Sequence, residues 1–334
     1  MEFKNLDQEK AFMKKEAQRL KISYMAAYTT YYARKLLEKV ALINHGNLVV
    51  KGSFSQYVHL GELTRPVLDI DLSSTCSHQI PINILFAAIY DTFDNITEYD
   101  LSSLPRQTNN GVYKIPVVAK IKYENSKEMV VPVPIDYKEN NKVIFETQFK
   151  GVEPLFKGDK KFYINTPSFE EHIAEKLYII AHNTRSDVPN TRVKDFYDIY
   201  NLFGKDYDAD KFSLYFETMV LMYGMHLEDI SVDFLNKEFI KRHEDLWVQM
   251  RKKYQYINKN INNSFNNINL SITENEIDAM TNRIKENIDY DILCERYSGD
   301  ILDELVSVMA ETICGNSKTV RIAGNDFSRE VVKS

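Results

Sequence analysis

The first third of the chain alternates between helical and strand-like patterns of apolar residues. Apolar side chains recur at helical spacing from Ala11 to Ile43, in a stretch without glycine or proline, which predicts two helices with a break near residues 21–23. Two short apolar runs follow, NLVVKG at residues 47–52 and VLDIDLS at residues 67–73, and both are typical of buried strands. The segment 54–63 between them is predicted to form a helix or one helical turn.

The middle of the chain has the pattern of a β-sheet preceded by a helix. Residues 81–97 open with Pro81 and then follow a helical pattern, as expected of proline in a first turn. Strand-like runs come next at residues 114–123, 128–138 and 143–149, separated by the turn-like segments ENS and ENN. These runs are predicted to form an antiparallel meander joined to the two earlier strands.

The second half of the chain has a helical pattern. Ser168 with Glu171 three residues later is a capping-box signature, which predicts a helix from there to about His182. Another helix is predicted from about Thr191 to Gly204, and the rest is predicted to be helical apart from an Asn-rich loop.

The predicted fold class is therefore α+β, in two domains. Residues 1–165 are expected to form a mixed sheet with flanking helices, including those at the N-terminus. Residues 166–334 are expected to form a mostly helical domain, with the Asn-rich loop at about residues 258–270.

Charge and composition limit the partners that the chain can have. A net charge of −6 and a pI near 5.7 exclude a surface that is basic throughout, so any contact with nucleic acid has to be local. Basic residues cluster at residues 10–21 and 237–259, where the second cluster is interleaved with aromatic residues. A solvated helix face also explains each cluster.

Cysteine usage and hydropathy favour the cytoplasm. Cys76, Cys294 and Cys314 are scattered without metal-ligand spacing and are expected to be ordinary reduced thiols. The chain has no run of eighteen apolar residues and no apolar segment near its N-terminus. We therefore expect a cytoplasmic protein with no membrane partner.

Paired carboxylates on the second strand-like run are the first candidates for chemistry. Side chains alternate along a strand, so Asp69 and Asp71 project together from the face opposite Leu68, Ile70 and Leu72. Two neighbouring carboxylates repel each other, and a divalent cation such as Mg²⁺ shared with substrate phosphates relieves that repulsion. Two solvated aspartates at an exposed strand end would give the same pattern.

A Gly-Ser pair after the first strand strengthens the metal interpretation. Gly52 lets the backbone approach a ligand closely, and the first N–H groups of a following helix, with the Ser53 hydroxyl, are suited to hold phosphate. A strand, a Gly-Ser turn and a second strand with two aspartates together favour a site for a metal-bound triphosphate.

A site of this kind often uses a third carboxylate as general base or extra ligand. Val131, Val133, Ile135 and Tyr137 alternate as core positions, which leaves Asp136 on the opposite face. Glu146 is the main rival for this role and Asp94 a weaker one.

Charged residues also fall among apolar positions of the two predicted helices after residue 168. Arg192 and Asp195 lie within the apolar arc of the second helix, with Asp198 at its edge and Lys194 pointing away. Lys176 lies on the apolar side of the first helix. An internal ion pair that locks the second helix, and a lysine that extends to water, are the alternatives to a functional cluster.

The order of these motifs resembles a known family. Gly52-Ser53, then Arg65 before the Asp69-Ile70-Asp71-Leu72 run, then AEKLYIIA with Lys176, then TRVKDFYDIYNL resemble the AbiEii/AbiGii-type toxins, which include the mycobacterial MenT enzymes. These are DNA-polymerase-β-like nucleotidyltransferases of toxin–antitoxin and abortive-infection phage-defence systems. The resemblance covers roughly residues 10–205.

The resemblance implies roles for individual residues. It implies metal binding by Asp69 and Asp71, with Asp136 as the third carboxylate suggested by the strand pattern. It implies substrate contacts by the Gly-Ser pair and by cationic residues, and an active-site role for one of the two helix aspartates. The residues assigned to the last two groups are Gly52, Ser53, Arg65, Lys176, Arg192, Asp195 and Asp198.

The expected function is transfer of NMP from an NTP to an RNA hydroxyl, with Mg²⁺ or Mn²⁺ as the cofactor. The resemblance makes the tRNA 3′ end the expected acceptor and implies a cognate antitoxin, either protein or RNA. Two other functions remain open: transfer to a hydroxyl of a protein or small molecule, and a non-catalytic effector that binds NTP.

Overall fold

The computed structural model describes residues 3–44, 46–74, 80–91, 96–124, 126–139, 141, 145–185 and 192–224, with 245–246 and 248–249. The predicted Asn-rich loop, Cys76, Cys294, Cys314 and Asp94 lie outside the described residues, as does nearly all of the basic and aromatic cluster at 237–259. The division into two domains at residue 165 remains a prediction.

The two N-terminal helices form as predicted, α1 (Leu6–Leu20) and α2 (Tyr24–Ile43). Lys21 ends α1 in the left-handed conformation, with φ 57°, and its N–H donates to the carbonyls of Ala17 and Gln18. The Ser23 hydroxyl then caps α2 by accepting from Ala26 N at 3.1 Å. The break between the helices is therefore built by these two caps.

The remaining elements follow the sheet-then-helix order that the sequence predicts. Ser168 caps α5 by accepting from Glu171 N at 3.2 Å, whereas the Glu171 carboxylate accepts from the backbone of Phe145 and Glu146 instead of closing the capping box. The elements are β1 (Val49–Lys51), α3 (Gly52–Leu60), β2 (Ile70–Ser73), α4 (Ile80–Tyr90), β3 (Thr97–Leu101), β4 (Arg106–Gln107), β5 (Val112–Ile115), β6 (Val117–Ile121), β7 (Met129–Pro132), β8 (Ile135–Lys138), β9 (Thr147–Val152), β10 (Phe162–Pro167), α5 (Phe169–Arg185), α6 (Val193–Leu202) and α7 (Ala209–Met222).

The main sheet is mixed, as predicted. Its strand order is β1-β2-β8-β5-β4, in which β2 and β8 run parallel and the other neighbours antiparallel. Among the described residues, β3-β6-β7 form a second sheet and β9-β10 a third. The predicted mixed sheet with flanking helices is thus confirmed.

The predicted antiparallel pairing of the first two runs is confirmed, since β5 pairs with β8 and β6 with β7. The third run does not continue this meander, because β9 pairs with β10 in a separate sheet. The first run divides at Pro116 into β5 and β6, which belong to different sheets, and the second divides at Pro134 into β7 and β8. Proline has no N–H to donate to a strand ladder, so each proline ends pairing with one sheet and lets the chain enter the other. Strand β8 therefore reaches β2 directly and places the 135–138 segment in the middle of the main sheet.

Apolar side chains form a large core under the main sheet and a smaller one among α5, α6 and α7. Ile70, Leu72, Ile135 and Tyr137 are almost fully buried in the first core, which confirms the alternation expected for β2 and β8. Ile173, Leu177, Phe196, Ile199 and Phe216 belong to the second core. Within the described residues, no helix is both long and apolar enough to cross a membrane.

Candidate active site

A row of charged residues crosses the main sheet in register. Lys51 on β1 lies opposite Asp71 on β2, Asp71 opposite Asp136 on β8, and Asp136 opposite Lys114 on β5. Directly paired residues on neighbouring strands place their side chains on the same face, about 5 Å apart. The two carboxylates therefore lie side by side on this face, with a lysine on the neighbouring strand at either side.

Asp71 experiences the repulsion that the sequence predicts. Burial, together with the charges of Asp69 and Asp136, raises the pKa of its carboxyl to about 6, although Lys194 and Arg65 act in the opposite direction. Asp69 lies just before β2 and is partly exposed. The three carboxylates therefore form one electrostatic group.

The start of α3 lies against Asp71. Gly52 has φ +60°, and a Cβ at this position would overlap Asp71 Oδ2 and come within 2.6 Å of Asp71 Cγ. Only glycine allows both this backbone conformation and this close approach. Within the described residues no side chain caps the helix at Lys51, so the first N–H groups of α3 lack a side-chain cap.

Ser53, the next residue, has a buried hydroxyl without a hydrogen-bond partner among the residues that the structure describes. The residue is 4% exposed, and buried hydroxyls almost always have a partner. A phosphate oxygen at the start of α3 would supply one, since helix N-termini attract anions. The Gly-Ser pair therefore has the geometry and the unmet hydrogen bond of a phosphate cradle.

Asp136 forms an ion pair with Lys114 across the neighbouring strands. The aspartate side chain is 21% exposed and the lysine side chain 44% exposed, so the pair is accessible to solvent. Glu146, the rival third carboxylate, instead accepts from Tyr215 Oη at 2.8 Å and pairs with Lys211 on α7. It is therefore turned toward α7 rather than toward Asp71.

Asp198 on α6 is the centre of a buried ion network. Arg65 donates to both of its oxygens, from Nε to Oδ1 at 2.9 Å and from a terminal nitrogen to Oδ2 at 3.0 Å. Lys176 Nζ donates to Asp198 Oδ2 at 2.7 Å and to Asp195 Oδ1 at 3.1 Å. Asp198 is fully buried, and the cations beside it hold its pKa below the usual range even though burial opposes this.

Lys176 remains charged inside this network. Burial alone would lower the pKa of its ammonium group, but the attraction of Asp198 and Asp195 outweighs burial and raises it. An ammonium group has three N–H donors. Two of them are used by the aspartates, which leaves one for a ligand oxygen.

Arg192 completes the network at its exposed end. Its Nε lies 2.6 Å from Asp195 Oδ2. Arg192 is the N-cap residue of α6, and its side chain is 31% exposed. It is therefore less buried than the apolar arc of the helical wheel predicts. Lys194, which the wheel directs away from the apolar arc, is partly buried and close enough to Asp71 to lower its pKa. A position outside the apolar arc therefore does not separate this lysine from the carboxylates.

Sequence patterns did not identify Lys51 and Lys114, the two lysines of the cross-sheet row, as site residues. Lys51 pairs with Glu175 on α5, and this attraction overcomes the effect of burial and raises the pKa of the lysine. Its position directly before Gly52 was an available signal. Lys114 gave no such signal, because its partner Asp136 is distant in sequence and only the strand register joins them.

The carboxylate group fits a divalent cation that is completed by substrate. Among the residues that the structure describes, no group of three or more His, Cys, Asp or Glu side chains has metal-binding geometry by itself. Mg²⁺ usually takes one or two carboxylates together with water and substrate phosphates. Asp69 and Asp71 beside the phosphate cradle are such a partial donor set.

Sequence comparison identifies the family. A model described as "Nucleotidyl transferase AbiEii toxin, Type IV TA system" matches residues 35–269. The chain belongs to this family. It is therefore a nucleotidyltransferase toxin of the AbiEii type, in the toxin half of a type IV toxin–antitoxin system. A second model, a family of unknown function (DUF6017), matches residues 267–334.

A solved structure similar to this AbiEii-family protein supports its nucleotidyltransferase-like fold. The nucleotidyltransferase toxin MenT4 (Rv2826c) from Mycobacterium tuberculosis H37Rv has a TM-score of 0.58 at 14% identity, over 91% of this chain and 98% of that chain. A putative nucleotidyltransferase from H. pylori has a TM-score of 0.45 at 14% identity, over 81% of this chain and 98% of that chain. No curated protein matches the chain.

Proposed function

We propose that this AbiEii-family transferase moves NMP from an NTP to a hydroxyl at the 3′ end of an RNA, with tRNA as the acceptor and Mg²⁺ or Mn²⁺ as the cofactor. The observation that carries the proposal is the contact between Gly52 and Asp71, since it joins the start of α3, with the Ser53 hydroxyl, to a pair of repelling carboxylates. The cytoplasm is the proposed place of action, and phage defence the proposed context.

Asp69 and Asp71 are the proposed metal ligands. A bound divalent cation would neutralise the triphosphate and lower the barrier to attack at its α-phosphate. The N–H groups at the start of α3 and the Ser53 hydroxyl would hold the outer phosphates. In this arrangement the α-phosphate would lie near Asp71, and the leaving pyrophosphate would lie at the start of α3.

Asp136 is the proposed acceptor of the proton from the attacking hydroxyl. The hydroxyl oxygen forms a bond to the α-phosphorus, the bond between that phosphorus and the bridging oxygen breaks, and pyrophosphate leaves. Asp136 lies one strand from Asp71, which suits a base beside the metal ligands. For this role its present ion pair with Lys114 has to open.

The buried network is proposed to stabilise charge on the leaving group. Arg65, Lys176 and Arg192 provide three positive charges against the two carboxylates of Asp195 and Asp198, so the network has an excess of one positive charge. Lys176 is fixed by two carboxylates and retains one free donor, which makes it a preorganised contact for a phosphate oxygen. Asp198 and Asp195 act by positioning it.

The acceptor can be tested by following label from the α-phosphate. Purified protein is incubated with each α-phosphate-labelled NTP and total cellular RNA, and the products are treated with ribonuclease or protease before separation. Label that enters a tRNA-sized band and is lost only to ribonuclease supports the proposal. Label in protein or in a small molecule would contradict it, as would NTP binding without any transfer.

A cognate antitoxin is the partner that the family implies. We propose that its presence reduces the transfer of label in the same assay.

A further inference from the structure

The cross-sheet row continues past the carboxylates to the open edge of the sheet. Lys114 on β5 lies opposite Arg106 on β4, so the in-register order from Asp71 outward is Asp136, Lys114 and Arg106. Lys138, two residues after Asp136 on the same strand, projects from the same face. Three cations therefore occupy the face beyond Asp136.

Two of these cations form no ion pair within the described residues. Arg106 is exposed and its side chain forms no hydrogen bond or ion pair there. Lys138 is partly buried, and the charges of Lys51 and Glu175 both act on it. Lys114 is the third cation and pairs with Asp136. The positive charge on this face therefore exceeds what the pair between Lys114 and Asp136 neutralises.

Lys114 and Arg106 lie away from the proposed nucleotide site, whereas Lys138 lies near Lys51, the residue before the phosphate cradle. The phosphate cradle follows β1, at one end of the strand order, whereas β5 and β4 form the other end. Asp71 and Asp136 lie between the two. A triphosphate at the cradle would leave the β8-β5-β4 side free for the molecule that brings the attacking hydroxyl.

The dimensions of this side fit a short single strand. Neighbouring strands are about 4.8 Å apart, so the three steps from β2 to β4 span roughly 14 Å. At about 3.4 Å per stacked nucleotide, that length corresponds to roughly four nucleotides. A row of cations of this length matches the phosphates of a short single strand.

We propose that the β8-β5-β4 face binds the single-stranded 3′ end of the acceptor RNA, with Lys138, Lys114 and Arg106 contacting its phosphates. This inference rests on the proposed transfer to RNA and adds the route by which the acceptor reaches Asp136. Lys114 has two roles in it: it leaves Asp136 to contact a phosphate, and this exchange frees the carboxylate to accept the proton of the hydroxyl. Acceptor binding thereby prepares the proposed base.

Steady-state kinetics of single variants test the route. Arg106→Gln and Lys138→Gln are compared with Lys161→Gln, which removes one positive charge directly before β10 of a separate sheet. The probes are an α-phosphate-labelled NTP and a single-stranded oligoribonucleotide or total tRNA as acceptor. We expect each of the first two variants to raise KM for RNA by about 5-fold, the usual upper effect of one exposed ionic contact. Arg106→Gln, the variant farther from the phosphate cradle, should leave KM for NTP unchanged. The Lys161→Gln control should match wild type in both.

Salt dependence gives an independent readout. Each lost phosphate contact should reduce the slope of log Kd for RNA against log salt by about 0.7, the value for single strands. Lys120→Gln is the matched control for Lys114→Gln, since each removes a lysine that pairs with an aspartate on a neighbouring strand. Of these two variants, only Lys114→Gln should reduce the slope. An unchanged slope, or an increase in KM for NTP instead of RNA, would overturn the route.

Failure of the route and failure of the proposed function are distinguishable. If wild-type protein labels RNA while Arg106→Gln and Lys138→Gln have unchanged KM for RNA, the transfer stands and the route is wrong. If wild-type protein labels no RNA with any NTP, the proposed function fails and the route fails with it.

Discussion

Asp71 and Asp136 lie directly opposite each other on the parallel neighbouring strands β2 and β8, with both side chains on one face. The sequence distance between them conceals this contact, which forms only because Pro134 ends one sheet pairing and β8 joins the main sheet. Asp69 adds a third negative charge. Such a group destabilises the folded chain unless a cation joins it.

The first prediction concerns stability and metal binding. In buffer with EDTA, Asp71→Asn should raise the free energy of unfolding by roughly 1–3 kcal/mol, because it removes a partly buried, repelled charge. Mg²⁺ at ten times its Kd should stabilise wild type by about 1.4 kcal/mol and the variant far less. Thermal and urea unfolding with and without Mg²⁺ measure both effects. Equal stabilisation of the two proteins by Mg²⁺ would show that Asp71 is not a ligand of the metal.

The second prediction concerns Gly52. Gly52→Ala should reduce transfer by at least about 100-fold, because its Cβ would displace the Asp71 carboxylate and small misplacements at a reaction centre have effects of that size. Gly61→Ala is the matched control, since Gly61 also has a positive φ, +71°, but has no atom within 4 Å of an added Cβ. The control should lose about 1–2 kcal/mol of stability and keep its activity. If Gly52→Ala and Gly61→Ala lost similar activity, backbone strain alone would explain the loss in Gly52→Ala.

The third prediction compares the two aspartates of α6. Asp198→Asn should destabilise the protein by about 3–5 kcal/mol, because it leaves both Arg65 and Lys176 buried without their shared carboxylate. Asp195→Asn should cost less, since Lys176 keeps Asp198 and Arg192 is partly exposed. Urea unfolding of the two variants gives the order. A larger loss from Asp195→Asn would contradict the assignment of Asp198 as the centre of the network.

The fourth prediction concerns His59 on α3. Burial and the nearby charge of Lys150 lower the pKa of its imidazole to about 4, although its contact with the Pro167 carbonyl opposes this. The folded protein keeps the ring neutral while the unfolded chain protonates it below about pH 6.5. The free energy of unfolding should therefore fall as the pH drops from about 6.5 toward about 4, by up to ~3 kcal/mol from this group.

Proton NMR of the histidine rings checks this value, with His59→Gln to assign the signal. Lys150→Met should raise the pKa of His59, because it removes a nearby positive charge. A wild-type titration near pH 6.5 would show that the ring is not held neutral by its surroundings.

Local patterns in the sequence predicted the parts of the site that depend on one element. The strand period of two places Asp69 and Asp71 on one face, and the order of strand, Gly-Ser and helix follows from the apolar runs. Contacts between distant segments were not predictable in this way. The fork between Arg65 and Asp198 joins residues 133 positions apart, and a helical wheel of α6 alone leaves Asp198 at the edge of its arc.

Lys194 shows a related limit. A wheel divides a helix into an apolar side and a polar side, and the polar side is ordinarily turned to solvent. Lys194 lies outside the apolar arc of α6, as predicted, but it is partly buried and its charge acts on Asp71. A helical wheel alone therefore does not distinguish a polar residue near a candidate site from one on a solvated surface.

The most direct test of the account is transfer of label by wild-type protein and by Asp71→Asn, under identical Mg²⁺, α-phosphate-labelled NTP and total cellular RNA. Circular dichroism confirms that both proteins are folded. Wild-type protein should label RNA. The folded variant should lose this activity by a factor of about 1,000 or more, because it lacks charge stabilisation in the transition state. Transfer by the variant at the wild-type rate would show that the reaction takes place elsewhere in the chain.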